Sequence, residues 1–419
     1  MFSKHWVFSK THGYSSQTSP MDSAIAKHCP ELVAGERSGH TAVVEGNFLY
    51  VWGGYVSIAA AEVFLPNDEV WFYDLERGVW EMGKMSGEVP PPMSGTCGCS
   101  LNGDMYIFGG CNDNGQTNQL YCVNLLDGKY SWRKVNHKSG STPSPRDKLS
   151  CWVFNGRLIY FAGYGHKQLD DIRNNRSFLM DEASTLRVDD IYWGWNNEVH
   201  MFDPTSASWS EPHTSGRAPD PRAAHASATL GHKGYVCGGR IRESRTSDIH
   251  CLDLESWTWS EIVPASTVPM GRSWHTLTAV YDSALFLFGG LGIDCEPMSD
   301  GWAFDVETKK WRALEHPYMN KPRSPGNAIC KVSSRLWHTA CQGKDSDVIV
   351  FGGSCDYILL VDTGHCNDAL VFQIQPYPLF RICEDYIAKN VKNCKLLQKQ
   401  LPCMPPKLLS AVQRRMSFF

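Results

Sequence analysis

Few stretches of this chain carry residues that could do chemistry, and arginine dominates them. Arg240-Ile241-Arg242-Glu243-Ser244-Arg245 places three guanidiniums within six residues. A guanidinium suits a carboxylate well, because its planar fork donates two parallel charge-assisted hydrogen bonds. Arginine also recurs with histidine three positions on, as Arg37–His40, Arg222–His225, Arg272–His275 and Arg335–His338. Histidines that return at one repeated position read as scaffold hydrogen-bonders, not as a metal centre. Glu296 and Asp300 stand four apart, but position 304 is Phe, so the imidazole that would complete a facial iron triad is missing. No Gly-rich phosphate loop and no convincing Ser/His/Asp order is present. The chain therefore reads as a binder, not an enzyme, and no cofactor is expected.

Bulk properties agree with this. Of 419 residues, 42% are apolar and 20% charged, enough for a large core and too apolar for long disorder. A net charge of −4 argues against a general nucleic-acid binder. Sixteen cysteines are scattered without a CxxC pair, and Cys151, Cys237 and Cys341 sit inside apolar runs. Reduced thiols of an intracellular protein are expected. Residues 1–30 are polar and carry no apolar stretch of signal-peptide length, and no run is long enough to span a membrane. The cytoplasm, alone or together with the nucleus, is the expected compartment.

The elements that position these residues repeat. A short apolar run ending in Gly-Gly closes at Gly54, Gly110, Gly239, Gly290 and Gly353, with Ala162-Gly163 as a sixth copy. The second glycines lie 56, 53, 76, 51 and 63 residues apart. An Arg-x-x-His or its relic precedes each copy; Met93–Thr96 and Arg146–Leu149 are the degraded ones. The first five copies are followed by an apolar strand and then Trp80, Trp132, Trp209, Trp259 or Trp311. Each unit thus offers four short strands, too small a sheet to bury its own faces, so the units must stack around an axis. The glycines permit sharp bends near that axis, and each Trp is a wedge between neighbouring sheets. Residues 166–191 lengthen the third unit as a long excursion, and residues 324–334 interrupt the start of the sixth. The last unit lacks its Trp, so amino-terminal residues are candidates to close the ring there.

The strand pattern stops after Gln375-Pro376. Leu379, Ile382, Cys383, Tyr386 and Ile387 recur every three or four residues, and Leu408, Leu409, Val412 and Met416 follow Pro405-Pro406. Two amphipathic helices are expected. They could fold back on the stacked sheets or present an apolar face to a partner.

These repeat residues resemble the kelch repeat. The expected fold is all-β: residues 36–376 as a six-bladed kelch β-propeller, a poorly ordered extension at 1–35, and a short helical tail at 377–419. Pro378-Leu379 through Cys383 to Ile387 matches the BC-box pattern that docks Elongin C. Met404-Pro405 through Leu408 to Val412 resembles the Cullin-2 box. Together with Leu65-Pro66-Asn67-Asp68-Glu69 and Asp362-Thr363-Gly364-His365-Cys366-Asn367-Asp368, they make the chain similar to the kelch domain-containing protein 1/2 family. That family supplies the substrate receptors of Cullin-2–Elongin BC ubiquitin ligases, which capture substrate carboxyl termini ending in Gly-Gly.

The residue after each glycine pair should lie near the inner mouth of its blade. Of Tyr55, Cys111, Tyr164, Arg240, Leu291 and Ser354, only Arg240 is cationic. Arg245 shares its loop, the next blade brings Ser273 and Trp274, and the preceding blade brings Tyr164 and Trp195. The resemblance implies a carboxylate clamp of Arg240, Arg245 and Ser273, walls of Tyr164, Trp195 and Trp274, and Lys148 on a substrate carbonyl. It implies Elongin C contacts at Leu379, Cys383 and Ile387, and Cullin-2 contacts at Pro405, Leu408 and Val412. Trp193 stands where the protein 2 branch of that family has an Arg, and Ala162 replaces the repeat glycine. A kelch scaffold serving another protein partner, outside any ligase, is the alternative.

Overall fold

The computed structural model describes residues 32–58, 61–174, 177–184, 190–281, 283–314, 334–343, 347–356, 364–374 and 379–416. The extension at 1–31, nearly all of the 324–334 insert, Asp362, Thr363 and Pro378 lie outside the described residues.

Six antiparallel sheets stand around one axis. The innermost strands are Thr41–Glu45, Cys97–Leu101, Ser150–Phe154, Ala226–Leu230, Thr276–Val280 and Thr339–Gln342. Each pairs with the strand that ends in the glycine pair, which in turn pairs with the aromatic strand. Blades 1 to 5 add an outer strand carrying the Trp. The Trp residues act as wedges toward the preceding blade: Trp132 meets Trp52 at 5.5 Å, Trp209 meets Phe108 at 5.2 Å and Trp80 meets Phe351 at 4.9 Å. Blade 6 shows three strands among the described residues. Beside it, Arg37 N–H donates to the Cys366 carbonyl at 3.2 Å and the Asn367 amide donates to the Ala34 carbonyl at 3.2 Å. Ala34 is buried between blades 6 and 1. The amino-terminal segment seals that seam as packed coil, not as a strand.

A closed hydrogen-bonded ring crowns the axis. Gly39, Gly95, Lys148, Ala224, Trp274 and Trp337 each donate a backbone N–H to the counterpart carbonyl of the preceding blade, at 2.8–3.1 Å. All six have positive φ, between 52° and 65°. A left-handed residue costs about 1–2 kcal/mol unless it is glycine, so the ring holds four residues where they would not otherwise go. The glycine pairs serve the same crowding: a Cβ on Gly54 would lie 2.7 Å from the Ser38 carbonyl and 2.8 Å from His40 Cβ.

The repeated arginines and histidines brace this ring. Arg222 and Arg272 each grip a glycine-pair carbonyl and fork onto Asp248 and Asp300. Arg335 grips the Gly352 carbonyl and pairs with Asp368, and Arg146 bonds the Ala162 carbonyl, Asn196 and Glu198. His40, His225 and His338 hydrogen-bond Thr339, Ser150 and Thr276 of the preceding blade at 2.8–2.9 Å.

Blade 3 carries the expected long excursion as ordered structure. Its middle strands extend to Arg157–Gln168 and Ile191–Asp203, and between them stand α1 (Leu169–Asn174) and a short strand, Phe178–Met180. The insertion is therefore a paired arm. The tail comprises α2 (Leu379–Asn393), α3 (Lys395–Gln400) and α4 (Pro406–Met416). No helix among the described residues is long and apolar enough to cross a membrane.

Candidate functional site

The ring opens into a cavity of about 130 Å³, lined in part by Lys148, Trp274 and Trp337. Around it lie the residues after each glycine pair, because Ser38 pairs with Tyr55, Ser94 with Cys111, Asp147 with Tyr164, Ala223 with Arg240, Ser273 with Leu291 and Leu336 with Ser354. This pairing sets Tyr164, Arg240 and Leu291 one strand away from ring residues Lys148, Ala224 and Trp274. Three consecutive blades thus face one sector of the mouth.

Arg240 and Arg245 are cross-strand partners at the tip of the Lys233–Ile241 and Ser244–Asp253 hairpin. Arg240 is partly exposed, donates to the Arg242 carbonyl at 2.7 Å and lies 3.5 Å from Glu243. Arg245 is different: only 8% of it is exposed. Its Nε donates to the Ser273 hydroxyl at 3.0 Å and its Nη1 approaches the Cys295 sulfur at 3.7 Å. No carboxylate among the described residues stands within ion-pair range of it. By contrast, Arg146, Arg222, Arg272 and Arg335, buried more deeply, each have one, whereas buried Arg37 has none among the described residues and donates to the Gly35 and Gly53 carbonyls.

Tyr164 and Trp195 meet edge to face at 5.2 Å. Trp195 is buried, while the Tyr164 hydroxyl donates to Asp181 at 2.9 Å and contacts Ser184 at 3.2 Å. Burial pushes that phenol up to about 12, with the Ser184 hydroxyl opposing and the Asp181 carboxylate adding. Trp274 stacks on Trp337 with ring centres 5.3 Å apart. Lys148 bonds the Asp147 carboxylate and lies over the Trp337 ring at 5.5 Å. Trp337 escaped the sequence reading, although Arg335-Leu336-Trp337-His338 repeats the spacing of Arg272-Ser273-Trp274-His275. His365 was missed as well: it bonds Ser38 at 2.8 Å and accepts from Ser57 N–H at 2.9 Å.

A larger cavity of about 760 Å³ lies against blade 3, lined in part by Lys167, Glu198 and His200. Its charges satisfy one another. Burial opposes ionisation of Glu198, but His200, Arg146 and Lys167 outweigh it and hold the carboxyl far below its usual range.

In the tail, α2 and α4 pack against each other, with Ala388, Val391 and Val412 buried and Arg415 bonded to Asp385 at 2.5 Å. Arg381 reaches Asp347 of blade 6 at 3.6 Å. Leu379 and Cys383 point into solvent and Ile387 is half-buried; Pro405 is exposed and Leu408 half-buried. Val412 faces the helix seam, so its side chain is not offered to a partner.

Six repeated blades, glycine pairs and bracing arginines define a kelch β-propeller, a class of typically non-catalytic binding domain. The KLHDC2/KLHL20/DRC7 Kelch-repeats domain matches residues 39–290 and 189–332. Kelch domain-containing protein 1 of Mus musculus is 50% identical over 391 residues, 92% of each chain. Kelch domain-containing protein 2 of Bos taurus is 38% identical over 399 residues, 92% of this chain and 91% of the relative. The chain belongs to the kelch domain-containing protein 1 and 2 family. A solved structure titled "Structure of YjhT" shares the fold, with a TM-score of 0.58 at 16% identity, covering 83% of this chain and 97% of that one.

Proposed function

We propose that this protein is the substrate-recognition subunit of a Cullin-2–Elongin BC ubiquitin ligase and binds carboxyl-terminal Gly-Gly degrons at its ring mouth. Arg245 is the observation that carries the reading. A buried guanidinium without a carboxylate is costly, and an incoming anion removes that cost. A substrate's terminal carboxylate would take the remaining Arg245 donors, with Ser273 holding the guanidinium in place and Arg240 swinging in from the rim. Tyr164, Trp195, Trp274 and Trp337 would form aromatic walls that favour glycine over a branched side chain at the substrate's end. Lys148 lies close enough to the cavity to donate to a substrate carbonyl.

The tail supports the ligase half. Leu379, Phe380, Ile382, Cys383 and Tyr386 expose apolar surface along α2, the kind of face that seats in a partner's groove. Elongin C is the partner proposed for Leu379, Cys383 and Ile387, and Cullin-2 for the start of α4 at Pro405 and Leu408. The protein then contributes geometry, not chemistry, by holding a substrate near a charged conjugating enzyme.

Peptide binding to the purified chain tests the pocket. A peptide ending in free Gly-Gly is expected to bind, its carboxyl-terminal amide and a Gly-Gly-Ala peptide to bind far more weakly, and Arg240→Ala to weaken the first. Equal binding of all three would remove the carboxylate pocket.

A further inference from the structure

The other half of the ring mouth carries the opposite charge. Cys111 pairs with Ser94 beside ring residue Gly95, and a Cβ on Gly95 would lie 3.4 Å from Asp147 Oδ2. Asp147 is 2% exposed; its Oδ2 takes the Lys148 ammonium, while its buried Oδ1 has no hydrogen-bond partner. Glu62, on the Tyr55–Phe64 hairpin of blade 1, and Asp113, in the Cys111–Gln116 hairpin of blade 2, are exposed and enter no ion pair among the described residues.

These charges share one neighbourhood. Burial first and then Asp147 push the Cys111 thiol up to about 11, with Lys148 opposing and Glu62 and Asp113 adding. Burial raises the Glu62 carboxyl, Lys148 pulls it down, and Asp147 and Asp113 raise it again. The Tyr55 hydroxyl, buried beneath, also lacks a hydrogen-bond partner. Around Cys111, blades 1 to 3 thus set Glu62, Asp113 and Asp147 against Lys148, whereas the blade 4 hairpin presents three guanidiniums against Glu243.

We propose that the mouth reads a substrate terminus as a dipole, taking the terminal carboxylate at Arg240 and Arg245 and a lysine or arginine side chain just upstream of the glycines at Glu62, Asp113 and Asp147. This deepens the degron reading above and rests on it. An extended peptide advances about 3.3–3.6 Å per residue, so the third or fourth residue from its end lies beyond the clamp, toward the acidic sector. Asp147, buried and paired with Lys148, adds its charge from beneath. Glu62 and Asp113 draw a cation inward from the rim.

Labelled peptides ending in Lys-Gly-Gly, Ala-Gly-Gly and Glu-Gly-Gly, with a parallel set varied one residue further upstream, would be titrated against the full chain. The expected order is Lys, then Ala, then Glu, with about tenfold between the extremes, since two exposed pairings are gained or lost. The preference should shrink toward parity near 1 M salt, where screening acts within about 3 Å. It should also invert in Glu62→Lys/Asp113→Lys, whose exposed substitutions leave the fold intact by melting temperature. If all Gly-Gly acids bind equally, the dipole is overturned and the carboxylate clamp stands; if none binds, both fall. A lysine preference that persists unchanged in the double variant and in high salt also overturns it.

Discussion

At the scale of the residue, the arginines divide by what neutralises them. Arg222 forks onto Asp248 at 2.7 and 2.8 Å, and its loss would strand a mostly buried carboxylate. Arg222→Ala should therefore destabilise the fold by about 3 kcal/mol, read by chemical denaturation. Arg245→Ala strands only a hydroxyl and a thiol, so the free protein should melt at the same temperature or higher. The same change should cost a Gly-Gly acid peptide about 100-fold or more in affinity, because the peptide's carboxylate loses its buried donor. Parallel losses of stability in the two variants would show that Arg245 is scaffold. The sequence displayed the arginine positions and types plainly. It could not display which of them lack counter-ions, because Asp248, Asp300 and Asp368 reach theirs through strand pairings that no local pattern encodes. Trp337 was legible by spacing alone, inside the Arg335–His338 repeat, although only its counterpart Trp274 was read as a wall.

Elements sort the same side chains by the face they occupy. The stripe from Leu379 to Ile387 was readable as amphipathic, but periodicity cannot say whether its apolar side meets the propeller or the solvent. Packing decides it: α4 covers Ala388 and Val391, leaving Leu379 and Cys383 outside. Leu379→Asp should leave the melting temperature unchanged and abolish co-purification with Elongin BC. Val412→Asp should instead unseat α4 from α2, seen as lost hydrogen-exchange protection in the tail, since a charge cannot remain in that seam. Equal Elongin binding by wild type and Leu379→Asp would detach the tail from the proposed role. The arm of blade 3 shows a different limit. The broken repeat spacing suggested a long excursion, and Tyr164 to Gln168 pair with Trp195 to Ile191 and carry strand order outward. Backbone pairing, which polar residues support as well as apolar ones, made the element. A hydroxyl shows how finely elements meet. His40, His225 and His338 each bond the Thr or Ser of the preceding blade, whereas the equivalent position for His275 is Ala226. Ala226→Ser should supply that partner and stabilise the fold by about 1 kcal/mol, visible as a small rise in melting temperature.

The whole molecule is held at its axis, and there its response to acid is set. Repeat spacing alone gave six blades and their order, because each copy carries the same glycines, arginine and Trp. The closed ring of backbone bonds was not legible, since hydrogen bonds between carbonyls and amides leave no mark on residue type. The ring's histidines are where this matters. Burial, and after it the adjacent arginine, lowers His225 and His338 to about 3, and burial holds His40 and His275 well below their ordinary value. An unfolded histidine takes its proton near pH 6.5. A folded pKa depressed below the unfolded one means stability that is full above about pH 6.5 and lost as pH falls toward 3. Each such histidine contributes up to about 1.4 kcal/mol per pH unit, so four together give a slope approaching 5 kcal/mol per unit. The depressed Asp248 and Glu198 carboxyls add their loss only below about pH 4, where unfolded carboxylates bind protons. Urea denaturation at pH 7.5, 6.5, 5.5 and 4.5 should therefore show stability falling steeply between the last three. Replacing His225 and His338 with Gln should roughly halve that slope while keeping a hydrogen-bonding side chain at each seam. A flat profile to pH 4.5 would mean that the ring admits protons while folded, and that its closure is looser than six short backbone bonds require.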